Sequence, residues 1–117
     1  MSVLVIDDDR VFRGLARRML VACGLVVVGE AGTVATGIAA AMELRPAAAL
    51  VDVGLPDGDG IALARTLSEL PWGPRVVLTS TDPDAISADD ARRCGADAFI
   101  AKHELPNAPL ARLLAAG

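Results

Sequence analysis

Five short apolar runs, separated by segments with helical spacing of apolar residues, constrain the fold of this chain more than any other feature. The runs occupy residues 3–6, 25–28, 48–52, 76–79 and 99–101. Each is continuous rather than alternating, which is typical of a strand that is buried on both faces of a parallel sheet. Strands and helices therefore alternate along the chain, the pattern of an α/β protein.

The segments between and after these runs predict five helices. We expect the first to end at Gly24 and the second to cover residues 33–44. The third should carry Ile61, Ala64 and Leu67 on its inner face, and the last should cover residues 105–116. The fourth should begin at Asp82 as its N-cap, with Pro83 as the first helical residue, and end near Cys94. This alternation predicts a doubly wound, five-stranded parallel sheet of flavodoxin-like order 2-1-3-4-5.

Length and charge limit the kinds of function. A chain of 117 residues makes one domain, and its 15 acidic against 11 basic residues give a net charge of −4. Such a charge argues against a nucleic-acid-binding surface. No apolar run approaches the length of a membrane span, and the first run is too short for a signal peptide. We therefore expect a cytoplasmic protein that binds neither nucleic acid nor membrane.

Polar side chains lie at the ends of four of the five runs. Asp7 and Asp8 follow the first run, Asp52 ends the third, Thr79 ends the fourth and Lys102 follows the fifth. The carboxyl ends of parallel strands share one edge, and strands 1 and 3 are neighbours in the predicted order, so the three acids should meet. Carboxylates that close resist ionisation unless a cation lies among them, and oxygen ligands favour Mg²⁺.

The same edge could carry out phosphoryl transfer. If an Asp52 oxygen attacks phosphorus, negative charge on the phosphoryl oxygens can be met by Mg²⁺, the Lys102 ammonium and the Thr79 hydroxyl. The product is an aspartyl phosphate. Taken alone, a lysine is usually solvated and a threonine at a strand end usually satisfies a loop amide. Their joint placement at one edge favours the phosphoryl-transfer interpretation.

Several segments together make the chain similar to a response-regulator receiver domain, the phosphoacceptor module of two-component signalling. They are Val3-Leu4-Val5-Ile6-Asp7-Asp8-Asp9, Leu50-Val51-Asp52, Leu55-Pro56-Asp57-Gly58-Asp59-Gly60 and Gly95-Ala96-Asp97-Ala98-Phe99-Ile100-Ala101-Lys102. No single segment is specific, but the set is. The resemblance extends over residues 1–117 and implies one receiver domain.

The resemblance assigns a role to each residue of the predicted site. It implies that Asp52 is the phosphorylation site and also a ligand of Mg²⁺. Asp8 and the Gly54 carbonyl would bind the ion directly, and Asp7 would bind it largely through water. The resemblance further implies that Thr79 is the switch hydroxyl, Phe99 the switch aromatic and Lys102 the phosphate-binding lysine. Gly54 has no side chain to shield an acyl phosphate, so the resemblance leaves the lifetime of that phosphate open.

The resemblance also implies a function and its partners. A histidine kinase or a histidine phosphotransfer protein would donate the phosphoryl group in a Mg²⁺-dependent reaction, and the surface of helix 4, strand 5 and helix 5 would then change. That surface would control a downstream protein or a missing output domain, or form a phosphorylation-dependent homodimer. We expect no enzyme activity beyond self-catalysed phosphorylation and dephosphorylation. The chain would be either a free-standing receiver or one excised from a longer regulator.

Two other functions remain open. Residues 7–11 also satisfy the Asp-x-Asp-x-Val pattern of haloacid-dehalogenase-like phosphatases, in which Asp7 would be the nucleophile and Asp9 the general acid. That hypothesis explains neither Asp52 nor Thr79, and 117 residues leave no room for a cap domain. The second alternative is an adaptor that keeps the fold and is never phosphorylated. The presence of all the acids, the hydroxyl and the lysine argues against it.

Overall fold

The computed structural model describes residues 2–115. Its strands, in chain order, are β1 (Ser2–Ile6), β2 (Val26–Ala31), β3 (Ala48–Asp52), β4 (Gly54–Leu55), β5 (Gly58–Asp59), β6 (Arg75–Ser80) and β7 (Ala98–Ala101). Five of them form a parallel sheet of order β2-β1-β3-β6-β7, and β4 and β5 form a small antiparallel ribbon between β3 and the third helix. Without the ribbon, this order is the predicted 2-1-3-4-5.

Residues 2–115 also form five α-helices and one 3₁₀ segment, of which the first four helices connect strands and the 3₁₀ segment and the last helix follow β7. They are α1 (Arg10–Ala22), α2 (Val34–Leu44), α3 (Gly60–Ser68), α4 (Ala88–Arg93), the 3₁₀ segment Lys102–Asn107 and α5 (Leu110–Ala115). The first four α-helices begin after a residue whose side chain accepts a backbone N–H of the first turn, namely Asp9, Thr33, Asp59 and Ser87. Within residues 2–115, no helix combines the length and the apolar character that crossing a membrane requires.

Two hydrophobic cores lie on opposite faces of the sheet. In β1, Val3 and Val5 pack with residues of α1 and α5, whereas Leu4 and Ile6 pack with residues of α2 and α3. Side chains alternate across a strand, so a strand covered on both faces needs an apolar residue at every position. This requirement explains the continuous apolar runs and confirms the predicted sheet with helices on both faces.

The predicted end of the second strand is wrong. The sequence predicts a strand over residues 25–28 with Gly29 in the following loop, but β2 continues to Ala31. Gly29 pairs with Leu4 of β1, and a Cβ at this position would lie 2.7 Å from Leu44 Cδ1 on α2. The glycine therefore allows a helix to pack closely on a strand and does not mark a turn.

The predicted start of the fourth helix is also wrong. The Asp82 carboxylate accepts the N–H of Asp84 at 2.9 Å and forms an isolated turn. The chain at Ser87 is extended, with φ −75° and ψ 158°, so a helix cannot run through it from Pro83. The Ser87 hydroxyl instead accepts the N–H of Asp90 at 3.1 Å, and α4 begins there.

The predicted last helix, residues 105–116, is partly wrong. The chain forms the 3₁₀ segment first, and α5 begins only at Leu110. Pro106 and Pro109 have no backbone N–H and cannot continue an α-helical hydrogen-bond ladder. Leu110 and Leu114 are buried, and Ala116 lies outside the described residues.

Candidate functional site

Three carboxylates meet at the carboxyl edge of the sheet. Asp52 is the last residue of β3, and Asp7 follows β1, the strand beside it. Asp7 is 1% exposed and Asp52 8% exposed, whereas Asp8 is open to solvent. One carboxylate oxygen from each of the three lies within 4.8 Å of the others. The fold thus brings together the acids that the sequence predicts to be neighbours.

Three contacts hold Asp7 in place besides the hydrogen bond of its N–H to the Ala31 carbonyl at 2.9 Å. Its Oδ1 accepts the N–H of Asp9 at 2.8 Å, and its carbonyl oxygen accepts Arg13 Nη1 at 2.6 Å. Its Oδ2 lies 2.8 Å from Lys102 Nζ, in an ion pair without a directed hydrogen bond. Oδ2 is therefore a buried acceptor that is balanced by charge but still has hydrogen-bonding or ligating capacity.

Lys102 supplies the positive charge of the site. Its Nζ lies 3.8 Å from Asp52 Oδ2 and 4.1 Å from the centroid of the Phe12 ring, in addition to its contact with Asp7. The lysine side chain is 14% exposed, so water screens these interactions only partly. One ammonium faces three carboxylates, and the site has an excess of negative charge.

The chemistry of this donor set fits a small, hard divalent cation. All three acids offer oxygen, the ligand that Mg²⁺ prefers, and the exposed position of Asp8 leaves the group open to solvent. Asp7 Oδ2 is the buried side-chain oxygen without a hydrogen bond among residues 2–115. A cation would satisfy this oxygen and offset the excess charge, so the residues present fit the predicted metal.

The environment of Asp52 disfavours its ionised form. Burial raises the pKa of Asp52 above its ordinary value of 3.8, and the negative charge of Asp7 raises that pKa further. The Lys102 ammonium and the N–H of Gly54, which is 3.4 Å from Asp52 Oδ1, act in the opposite direction. Any cation that binds beside Asp52 would lower its pKa.

Thr79 lies beside Asp52, but its hydroxyl is engaged elsewhere. The two residues are paired across β3 and β6, and Thr79 is fully buried. The Thr79 hydroxyl donates to the carbonyl of Ile100 in β7 at 2.7 Å. The adjacent Phe99 is half-buried and packs against the core on the α2 and α3 face. The predicted switch pair is thus linked through the backbone of β7.

The ribbon formed by β4 and β5 extends from the end of β3. Gly54 pairs with Asp59 in this ribbon, and a Cβ at Gly54 would meet no atom within 4 Å. At Gly60, where α3 begins, a Cβ would overlap the carbonyl oxygen of Asp52. Gly60 is therefore required for the close approach of α3 to the end of β3, whereas Gly54 faces open space.

Asp9 has a structural role at the start of α1. Its Oδ1 accepts the N–H of Val11 at 3.0 Å and that of Phe12 at 3.3 Å, a regular helix cap. It does not belong to the group of carboxylates formed by Asp7, Asp8 and Asp52. This placement offers no support for the phosphatase hypothesis, which needs Asp9 as a general acid beside the nucleophile.

Three residues that shape this site are not evident from the sequence. Arg13 holds the Asp7 backbone, and the Phe12 ring lies against the Lys102 ammonium. The Asp57 carboxylate binds the first turn of α2. Helical periodicity places Phe12 in the core but gives no sign of the lysine, and nothing in a Pro-Asp-Gly turn indicates which distant amide its aspartate will bind.

Comparison with known proteins agrees with the fold. Residues 3–113 match the family model described as the response regulator receiver domain. Among solved structures, the signal receiver domain of the putative response regulator NarL from Mycobacterium tuberculosis is similar, with 31% identity and a TM-score of 0.78, and the match covers 93% of this chain and 92% of that one.

Two curated relatives are transcriptional regulators by name. The KDP operon transcriptional regulatory protein KdpE of Escherichia coli K12 is 37% identical over 103 residues, which cover 86% of this chain and 44% of the relative. The DNA-binding transcriptional activator DevR/DosR of Mycobacterium tuberculosis is 41% identical over 103 residues, covering 86% of this chain and 47% of the relative. The chain thus spans about half the length of these relatives.

Proposed function

The chain belongs to the response regulator receiver domain family, and on that basis we propose that it accepts a phosphoryl group on Asp52. The observation that carries the proposal is the placement of Asp52 beside both Asp7 and Lys102, at the edge where the sheet topology leaves room for a ligand. The expected donor is the phosphohistidine of a histidine kinase or of a histidine phosphotransfer protein.

The proposed transfer uses Asp52 as the nucleophile. An Asp52 carboxylate oxygen forms a bond to phosphorus while the bond from phosphorus to the donor imidazole nitrogen breaks, and the imidazole keeps that electron pair. Asp7, Asp8, Asp52 and the Gly54 carbonyl are the residues that would hold Mg²⁺. When bound, the ion would neutralise negative charge on the phosphoryl oxygens.

Lys102 has the second role in the proposed reaction. Its Nζ is 2.8 Å from Asp7 and 3.8 Å from Asp52 before any phosphoryl group arrives. A phosphoryl group on Asp52 adds negative charge within reach of this ammonium and would compete with Asp7 for it. The lysine would thus stabilise both the transferring group and the acyl phosphate.

Return to the unphosphorylated state requires water at the acyl phosphate. We propose that the domain catalyses this hydrolysis itself, with water attacking phosphorus and the Asp52 carboxylate leaving. A Cβ at Gly54 would meet no atom within 4 Å, and this open space supports access for water. The chain would therefore act as a signalling module rather than as an enzyme with a separate substrate.

The proposed switch begins at Thr79. To reach a phosphoryl oxygen on Asp52, its hydroxyl must give up the 2.7 Å hydrogen bond to Ile100. Phe99 lies one residue before that carbonyl and would turn inward as Thr79 leaves. The surface formed by α4, β7 and α5 would change as a result, a shift between two states biased by the phosphoryl group.

The altered surface would control a downstream protein or an output domain, or form a phosphorylation-dependent homodimer. The names of the relatives connect this family with DNA-binding regulators, so the absence of nucleic-acid binding by this chain stays a prediction. A cytoplasmic location likewise stays a prediction.

Mass spectrometry of the intact protein tests the proposal. Incubation with Mg²⁺ and the small phosphodonor acetyl phosphate should add one phosphoryl group to the wild type and none to Asp52→Asn. A phosphoryl group on Asp7 that persists in Asp52→Asn would favour the phosphatase hypothesis. Absence of any mass gain in folded wild-type protein, with acetyl phosphate and with a phosphohistidine donor, would favour the adaptor hypothesis.

A further inference from the structure

The turn of the β4–β5 ribbon is tied to α2, a helix distant in sequence. Asp57 Oδ1 accepts the N–H of Val34 at 2.7 Å, and Oδ2 accepts the N–H of Ala35 at 3.1 Å. These N–H groups belong to the first two residues of α2 and have no partner within the helix. Asp57 is separated from them by 23 and 22 positions. One carboxylate thus joins the ribbon to α2.

The local cap of α2 leaves these two donors for Asp57. The hydroxyl of the N-cap residue Thr33 accepts the N–H of Thr36 at 3.0 Å, and this bond satisfies the third donor of the helix. The ribbon also packs closely here, since a Cβ at Gly58 would lie 3.2 Å from Val34 Cγ2. The Asp57 carboxylate and the backbone at Gly58 thus both contact the start of α2, and the carboxylate completes the helix cap.

Gly54 lies between this contact and the root of the ribbon. At the root, the N–H of Gly60 donates to the carbonyl of Val53 at 2.8 Å. Outside its pairing with Asp59 in the ribbon, Gly54 has few contacts, because nothing surrounds its Cβ position and its N–H reaches Asp52 only at 3.4 Å. Its position therefore depends on how the two ends of the ribbon are fixed.

We propose that Asp57 is a positioning residue for the metal site, because its bonds to α2 hold the ribbon that carries Gly54. This inference rests on the proposed function, in which the Gly54 carbonyl is a ligand of Mg²⁺. Coupling between two sites is reciprocal. If the bonds from Asp57 to α2 favour Mg²⁺ binding, Mg²⁺ must stabilise those bonds by the same factor.

Calorimetric titration of the full chain with Mg²⁺ tests the first half of this coupling. Asp57→Ala should weaken Mg²⁺ binding by about fivefold, the factor that corresponds to the loss of one helix-capping interaction. Asp57→Asn keeps one acceptor oxygen and should restore part of the affinity. Two matched variants should stay within about twofold of the wild type: Thr33→Ala, which weakens the α2 cap but keeps Asp57, and Asp84→Ala, which removes an equal charge from an exposed position.

Amide hydrogen exchange at Val34 and Ala35 tests the second half without any phosphoryl transfer. In the wild type, Mg²⁺ should slow exchange at both amides by about fivefold, the same factor by which Asp57→Ala weakens Mg²⁺ binding. In Asp57→Ala, Mg²⁺ should not change exchange at these amides. The role of Asp57 would be overturned, and the metal site left intact, by either of two results. One is a Mg²⁺ affinity of Asp57→Ala equal to that of the matched variants; the other is exchange at these amides that Mg²⁺ does not change in the wild type. A wild type that binds no Mg²⁺ would overturn the proposed metal site itself.

Discussion

Replacing Asp52 with asparagine should stabilise the protein in the absence of metal. The Asp52 carboxylate is buried at the carboxyl edge of the sheet and lies within 4.8 Å of two other acids. Asparagine has the same shape and can still accept a hydrogen bond from the Gly54 N–H. The substitution therefore removes the charge and little else.

The size of the effect follows from the distances in the site. At an effective dielectric constant of about 20, two charges at 4.8 Å repel by about 3 kcal/mol, and charges at 3.8 Å, as for Lys102 and Asp52, attract by about 4 kcal/mol. Repulsion by Asp7 and attraction by Lys102 thus nearly cancel. The remaining terms are the cost of burying the charge and a screened repulsion from the exposed Asp8. We expect Asp52→Asn to raise the free energy of unfolding by about 1–3 kcal/mol at neutral pH.

The pH dependence has a definite sign. Burial and Asp7 raise the pKa of Asp52 above 3.8, so the folded protein holds this proton more tightly than the unfolded chain. As pH rises from 3.8 through the raised pKa, Asp52 ionises at a growing cost to folding, and that cost is complete above the raised pKa. The advantage of Asp52→Asn over the wild type should therefore grow through this range and then stay constant.

Urea denaturation in chelator and in Mg²⁺, followed across pH, measures this difference. Mg²⁺ should stabilise the wild type more than Asp52→Asn because the ion binds the folded wild type more tightly. Asp84→Asn removes an equal charge from an exposed position and serves as the control. Equal stability of wild type and Asp52→Asn in chelator would contradict a cost of burying the Asp52 charge, and equal stabilisation of both by Mg²⁺ would contradict a role of that charge in binding the ion.

Four further substitutions separate the roles of neighbouring residues. Thr79→Ala leaves a carbonyl of β7 without its donor and should cost about 1–3 kcal/mol of stability, while mass spectrometry still finds phosphorylation of Asp52. Gly60→Ala places a Cβ against the Asp52 carbonyl and should lower the free energy of unfolding, measured by urea denaturation, by about 1–3 kcal/mol. Gly54→Ala places a Cβ where it meets no atom within 4 Å and should lower this free energy far less. Lys102→Ala should raise the pKa of Asp52 further, measured by NMR titration of its carboxyl carbon; an unchanged pKa would contradict the attraction described here.

The part of the fold that sequence predicts well is the sheet and its carboxyl edge. A strand with both faces covered requires an apolar residue at every position, so β1 and β3 are visible as continuous runs. The ends of these runs then locate Asp7 and Asp52, and strand order alone makes them neighbours. The roles of the site residues in phosphoryl transfer stay predictions, although the fold places their side chains at one edge.

The sequence predicts the connections after β6 less well because local signals there compete. Asp82 followed by proline has the composition of a helix start, yet the extended backbone at Ser87 moves the start of α4 downstream. The attachment of Asp57 to α2 could not be predicted at all. The amides that an aspartate in a turn binds depend on how the ribbon packs against a helix 22 positions away. The local sequence does not predict that packing.

The two contacts that a phosphoryl group would disturb both restrain the same strand. The Thr79 hydroxyl binds the carbonyl of Ile100 within β7, and Lys102, which directly follows β7, is paired with Asp7. A phosphoryl group on Asp52 would attract the hydroxyl and the ammonium together, so β7 would lose both restraints at once. The opposite edge of the sheet, β2, contributes no side chain to either contact. The change should therefore be largest in β7 and the helices beside it, because both disturbed contacts involve β7 or the residue that directly follows it.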